Sequence, residues 1–376
     1  MERVFNNFQG ENLMKKLGLV FLSAVAIISL AACGGTGSAK KSGDDSKTEK
    51  KAAKSKIASI TIDEGEYVLP KEEEAEDGEG FLALKVTIKN ETDKSLDMSA
   101  TDIMLYDEDD SKIESLSLYL DESKTPLLAY EKISGKKSKT GYVVFPVEKK
   151  AKYKLHFEPR IYEVEKEPKP IILDVDASEY KDHSEDAEKA VTAFVDEVFL
   201  ATENEDYNKL VANDRDASVK NFDENFNKAI KKKFYDYKVT DEEGLALAKV
   251  FREDNAKIAT VNYELASYFP DVAEVTVNVE GLSFKEMKDD MEAVNKEYYE
   301  SHRDQEYDER SKAAQKAELD KLPEIFKNTK PISIDSYGDG FKVIIKKKED
   351  KWEIQTKGSI NYFDNLEQAF RGDMSK

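Results

Sequence analysis

Leu82-Ala83-Leu84-Lys85-Val86-Thr87-Ile88-Lys89 decides the fold of the first half of the chain. Leu82, Leu84, Val86 and Ile88 fall on alternate positions and Ala83, Lys85, Thr87 and Lys89 between them. This period of two marks a half-buried strand, and Asn90-Glu91-Thr92-Asp93 reads as the turn after it. Working outward, Ile57/Ile60/Ile62, Ile103/Leu105, Leu116/Leu118/Leu120, Tyr142 to Val147 and Tyr153/Leu155/Phe157 supply further short strands. Turn residues separate them at the spacing of a two-sheet sandwich, and no helical period occurs before about residue 178. An all-β sandwich is expected over 57–175.

The period then changes. Ala187, Val191, Phe194, Val195, Val198 and Phe199 recur at helical spacing, as do Val219, Phe222, Phe226, Ile230 and Phe234. Val275, Val277 and Val279 alternate as a strand, and Phe341/Val343/Ile345 and Trp352/Ile354 flank Glu349-Asp350 as a hairpin. Residues 284–328 read as one long charged helical stretch with Met287, Met291, Val294 and Tyr298 on one stripe. An α+β domain is therefore expected over 178–372, joined to the sandwich by the Pro- and charge-rich segment Glu165–Pro170.

Two resemblances sharpen this reading. The run Leu84–Asn90 with its turn, Gly141-Tyr-Val-Val-Phe-Pro146 and Tyr153-Lys-Leu-His-Phe157 resemble an immunoglobulin-like domain of unknown function found in Gram-positive lipoproteins. The acidic loop Glu72–Glu79 departs from that pattern. Helices followed by an antiparallel hairpin set resemble the cone of cystatin-like and nuclear transport factor two-like domains. Residues 178–372 look like a second uncharacterised lipoprotein domain. These resemblances imply a fold and a location, and no chemistry.

The N-terminus addresses location directly. Lys15-Lys16, the apolar run Leu17–Ala32 and small residues at its end follow the order of a signal peptide over 1–32. The run is shorter than the ~20 residues needed to span a bilayer. Leu30-Ala31-Ala32-Cys33 resembles a lipobox, which implies a diacylglyceryl thioether on Cys33 and anchoring on the outer face of the cytoplasmic membrane. Met14 opens a more compact signal than Met1 does. Residues 33–56, rich in Gly, Ser and Lys, are expected to form a disordered tether. Cys33 is the single cysteine, so no disulfide is available to the body.

Charge narrows the partners. The chain carries 58 Lys and Arg against 78 Asp and Glu, a net of −20. An acidic surface repels phosphate, so nucleic acid is excluded as the main partner. Residues 34–56 run against this trend, with seven lysines facing Asp44, Asp45 and Glu49. A basic segment beside a lipid anchor is attracted to anionic headgroups, although a soluble linker has the same composition.

The search for chemistry returns little. His156, His183 and His302 lack metal-ligand spacing, and no nucleophile elbow, phosphate-binding glycine loop or zinc helix motif is present. No catalytic residue, metal ligand or cofactor is assigned. Asp174, Asp176, Ser178, Asp182 and Glu185 match positions 1, 3, 5, 9 and 12 of a calcium loop, with the Tyr180 carbonyl at 7. Glu179 stands where that loop needs glycine, so the stretch is expected to be a linker ending in a capping box, Asp182 to Glu185. The acidic runs 72–77 and 107–110 read as solvated loops, Arg371-Gly372-Asp373 as a chance match in a frayed tail, and His156 as an outward-facing strand residue. Phe194, Phe199, Phe222, Phe226 and Phe234 are expected in the core rather than around a ligand. The expectation is a non-enzymatic binding or interaction module whose partner is an envelope component or protein. The competing reading is a small-molecule or enzymatic cavity in the C-terminal domain.

Overall fold

The computed structural model describes residues 50–71, 73–119, 125–160, 169–334, 338–357 and 362–375. Leu82–Lys89 lies inside a central strand. The first sheet holds β1 (Lys51–Lys54), β2 (Ala58–Val68), β3 (Glu79–Asn90) and, beyond β4 to β7, β8 (Ser138–Glu148), in the order β1-β2-β3-β8. Its neighbours pair antiparallel, with Leu84 opposite Gly65 and Val143. β4 (Leu96–Met98) and β7 (Glu131–Ile133) form a small pair of their own. The second sheet has β5 (Ile103–Tyr106), β6 (Lys112–Glu114), β9 (Lys152–Phe157) and β10 (Ile171–Asp176), in the order β10-β9-β5-β6. Ile60, Leu82, Leu84 and Val86 of one sheet share a core with Ile103, Leu105, Leu155, Phe157 and Leu173 of the other.

Two expectations change here. Lys51–Lys54, assigned to the tether, pair with Ser59–Ile62 as an edge strand. Lysine suits that place because its charge keeps an exposed edge from pairing with other chains. Leu116 and Leu118 form no strand. They lie across the outer face of the first sheet against Phe81, Tyr142 and Val144, with one ladder-like bond from the Leu116 amide to the Val144 carbonyl at 2.8 Å. Their alternation reflects one side laid on a sheet, not a ladder. Leu120 falls outside the described residues.

The chain crosses to its C-terminal part through β11 (Lys181–Asp182), which pairs parallel with Glu66 and Tyr67 of β2. Then come α1 (Ser184–Phe194), a π turn over Val195–Phe199, α2 (Tyr207–Leu210), α3 (Arg215–Lys233) and α4 (Asp241–Asn255). β12 (Thr260–Phe269) and β13 (Val272–Gly281) form a long hairpin. α5 (Lys288–Ser301) and α6 (Tyr307–Asn328) follow, then β14 (Ile332–Ser333), β15 (Phe341–Lys348), β16 (Lys351–Ile354) and α7 (Tyr362–Phe370). The sheet order is β12-β13-β15-β16, with β14 on β13. This C-terminal part is mixed α and β.

Its apolar side chains fall into two groups. α1, the π turn and α7 pack on the sheet through Val191, Phe199, Val275, Ile345, Trp352 and Phe370. α3, α4 and α6 enclose Phe226, Phe251, Phe326 and Leu322. α3 and α4 meet at Gly244, where a Cβ would sit 2.0 Å from the Asn227 Oδ1, so a larger residue would have to displace the Asn227 side chain. The stretch 284–328 is two helices, not one. Ser301 Oγ donates back to the Glu297 carbonyl at 2.8 Å and the helix ends at His302. Short polar side chains that bond locally compete with helix propagation in this way.

The pairing of α5 with α6 half-buries Glu318, and burial pushes its carboxyl up to about 7 despite Lys233 and Asn295 nearby. An unfolded glutamate ionises below this, near 4.5. Between those values the folded state holds a proton that the unfolded state has lost, so Glu318 makes stability fall as pH rises through the window. Glu318→Gln should therefore stabilise the protein at about pH 8 and change little at about pH 5. Urea midpoints of both proteins at the two pH values check this.

The two parts meet at the end of β2. Leu69 and Tyr268 exchange backbone bonds of 3.0 and 2.8 Å, and Phe269 and Val272 join Val68, Phe81, Ala83 and Val144 in one apolar cluster. Tyr268 Oη donates to Glu66 at 3.0 Å, and Lys71 pairs with Glu274 at 3.1 Å. The described residues belong to a single compact unit, Lys47–Lys376.

Candidate functional site

A cleft of about 650 Å³ opens in the C-terminal part between the start of α3, the loop before it, the β15–β16 hairpin and α7. Its floor is aromatic: Phe194, Phe199, Phe222 and Phe363 are at most 6% exposed. Their rings interlock, Phe199 lying 5.6 Å from Phe194, 5.3 Å from Phe222 and 5.9 Å from Phe363. The floor is therefore built of buried rings packed against one another.

The walls are polar and already engaged. Asn213 Nδ2 donates to the Ile354 carbonyl at 3.1 Å, and the Ile354 amide donates to Asn213 Oδ1 at 2.7 Å, which fastens the loop to β16. Asp214 caps α3 by accepting from the Ala217 amide at 2.8 Å. Lys348 pairs with Glu353 at 2.7 Å across the hairpin. Deepest is Glu367, 2% exposed, which accepts from Asn225 Nδ2 at 2.8 Å and lies 3.5 Å from Arg371 Nε. Lys228 Nζ in turn donates to Asn225 Oδ1 at 3.2 Å. Burial holds the Arg371 pKa below its usual range, opposed by Glu367. Asn221, Thr356 and Lys357 stand around the rim. The arrangement suits contact with a polar ligand at the mouth, and none of the three histidines lines it.

A family model described as a domain of unknown function, DUF5105, matches residues 177–371. The chain belongs to the DUF5105 family. A second model, also a domain of unknown function, DUF4352, matches residues 41–167. This DUF5105 protein is 27% identical over 356 residues to the uncharacterized lipoprotein YcdA of Bacillus subtilis, covering 90% of this chain and 94% of that one. The crystal structure of the ycdA protein from Bacillus subtilis superposes with a TM-score of 0.59 at 24% identity, over 85% of this chain and 98% of that one, and shows the same fold.

The residues singled out in the sequence are now placed. Leu30, Ala31, Ala32 and Cys33 lie outside the described residues. The phenylalanine stripe divides: Phe194, Phe199 and Phe222 floor the cleft, whereas Phe226 and Phe234 pack in the helical core. His156 is half-buried on the outer side of β9 against the Tyr106 ring, 4.4 Å between centroids. Asp174 and Asp176 sit on β10, and Asp176 Oδ1 accepts from the Ser178 amide at 3.1 Å. Asp182 accepts from the Ser184 amide at 3.1 Å, and Glu185 pairs with Lys189, so Asp182 holds the helix start without the reciprocal bond of a capping box. Among the described residues no group of His, Cys, Asp and Glu is arranged to hold a metal ion.

The expected frayed tail is instead packed. Arg371 is 1% exposed and donates from Nη1 to the Met374 carbonyl at 2.8 Å. Gly372 adopts φ +71°, and the Phe284 amide bonds its carbonyl at 3.0 Å. The Arg-Gly-Asp tripeptide therefore presents no arginine to a receptor. Sequence reasoning missed the partnership of Asn225, Glu367 and Arg371, which only tertiary contact creates. It also missed α4, for which a signal existed: Thr240 and Glu243 form a capping box, readable as Thr-x-x-Glu.

Proposed function

We propose that this DUF5105 protein is a lipid-tethered binding module on the outer face of the cytoplasmic membrane, with no catalytic role. The lipoprotein name of its Bacillus relative and the sequence Leu30-Ala31-Ala32-Cys33 support the anchor. Among the described residues no helix is long and apolar enough to cross a membrane. In this reading the facing sheets of the N-terminal part are an immunoglobulin-like sandwich, and the curved sheet with its helices is a cystatin-like cone. The observation that carries the binding role is the packed aromatic floor of the cleft, which leaves recognition to rims and surfaces. The commitment of Glu367 to Asn225 and Arg371 speaks against proton chemistry there.

Cys33→Ala should remove the lipid from the N-terminal peptide. The protein should then leave the membrane fraction or accumulate as uncleaved precursor. Mass spectrometry of the N-terminal peptide and salt-washed membranes report both results. A Cys33→Ala protein that matures and stays on washed membranes would overturn the anchor, and turnover of a small metabolite by the purified chain would overturn the non-catalytic role.

A further inference from the structure

Three turns gather at the end of the N-terminal part farthest from β12 and β13: residues 54–58, 90–95 and 134–137. Backbone bonds lock them together. The Glu91 amide donates to the Ile57 carbonyl at 2.8 Å, the Asn90 amide to the Lys137 carbonyl at 2.9 Å, and the Lys136 amide to the Thr92 carbonyl at 3.0 Å. Asn90, fully buried, clamps the centre by donating from Nδ2 to the carbonyls of Lys94 at 2.6 Å and Ile133 at 2.9 Å.

This platform is covered with lysine. Lys54, Lys56, Lys89, Lys94, Lys132, Lys136 and Lys137 are all exposed. The acids among them are neutralised in place. Glu91 pairs with Lys89 at 3.0 Å, Asp93 with Lys136 at 3.8 Å and Glu131 with Lys139 at 2.8 Å. Lys54, Lys56, Lys132 and Lys137 make no ion pair among the described residues, so this end is positive in a chain of net charge −20. The opposite end carries five acids, Glu79, Asp107, Glu108, Asp109 and Glu148, against two lysines, Lys150 and Lys152, around one hollow, and joins the C-terminal part through Leu69 and Tyr268. The charge is polarised along the long axis of the sheets.

The chain before this platform fits the same orientation. β1 runs from Lys51 toward the lysine-rich end, a distance of about 13 Å for four strand residues. The 18 residues from Cys33 to Lys50 reach ~58 Å when extended, enough to let that end touch the surface that holds the anchor.

We infer that the lysine-rich end is a docking face for anionic phospholipid headgroups, which turns the acidic C-terminal part away from the bilayer. The inference rests on the lipid-anchor reading above. Each lysine near such a surface strengthens the contact by about fivefold, and salt weakens it.

The test uses the full lipidated chain in vesicles of phosphatidylcholine alone or mixed with phosphatidylglycerol. Amine acylation is followed residue by residue by mass spectrometry. On the anionic vesicles Lys56, Lys132 and Lys137 should react several-fold more slowly than on neutral ones, because bound headgroups shield their amines. Lys249 and Lys327, exposed on helices of the C-terminal part, should react equally on both. High salt should abolish the difference. Combined Lys56→Glu, Lys132→Glu and Lys137→Glu should abolish the same slowing at Lys54, which stays exposed on that end, while the chain stays vesicle-bound. Equal rates on both vesicle types from a chain that remains bound would overturn the docking face and leave the anchor standing. Failure of the wild-type chain to bind neutral vesicles would overturn the anchor itself.

Discussion

Phe199→Ala should lower the unfolding free energy by about 3–5 kcal/mol. Phe199 is 1% exposed at the end of the π turn, between Phe194, Phe222 and Phe363, and stacks on Phe370 at 4.9 Å. These rings come from three helices, Phe194 from α1, Phe222 from α3 and Phe363 and Phe370 from α7, so none can follow the truncated side chain inward without moving its own backbone. The loss is then transfer free energy plus a cavity that stays open. Phe199→Leu keeps most of the volume and should cost less than about 1.5 kcal/mol. Urea titration with an unchanged slope checks both values. A Phe199→Ala loss below about 1 kcal/mol would mean that the floor of the cleft is loosely packed. That result would favour a ligand cavity over a surface-binding module.

Arg371→Met should cost a comparable amount, about 3–5 kcal/mol, because it removes the guanidinium 3.5 Å from the buried Glu367 carboxylate. Asn225 supplies one hydrogen bond at 2.8 Å, which does not replace a charge. The double variant Arg371→Met with Glu367→Leu should recover a large part of the loss, since an apolar pair of similar volume needs no compensation. The two single variants and the double variant form a cycle, read by denaturant midpoints. If the double variant is as unstable as the sum of the singles, Glu367 and Arg371 are not coupled and the cleft wall is held by other contacts.

What the sequence made legible was local period. Leu82–Lys89, Val275–Val279 and the hairpin around Glu349-Asp350 each bury one face of a strand, and a buried face imprints alternation on the residues themselves. Helices α1 and α3 were readable for the same reason at helical spacing. Features set by distant neighbours left no such imprint. Lys51–Lys54 looks like linker because an edge strand needs few apolar residues. Leu116 and Leu118 alternate like a strand because a sheet face, not a ladder, covers one side of them. Asn225, Glu367 and Arg371 are three ordinary polar letters until α3 and α7 meet. The tail around Arg371 shows the opposite error, since a terminal position and a known tripeptide suggested exposure where packing against Phe284 fixes the chain.

The shared cluster at the end of β2 has a consequence for how such a chain is made. Phe81, Ala83, Tyr142 and Val144 are complete as strand residues once β8 has paired with β3, yet their outer face is covered by Phe269 and Val272, which arrive much later. If the chain emerges N-terminus first, the first half folds while this face is covered only by Leu116, Leu118 and Leu127. Exposed apolar surface on a part-folded chain invites aggregation or capture by an extracytoplasmic chaperone. The interval closes when Tyr268 reaches Leu69, so the time the chain takes to complete residues 177–272 sets how long the half-made protein is at risk.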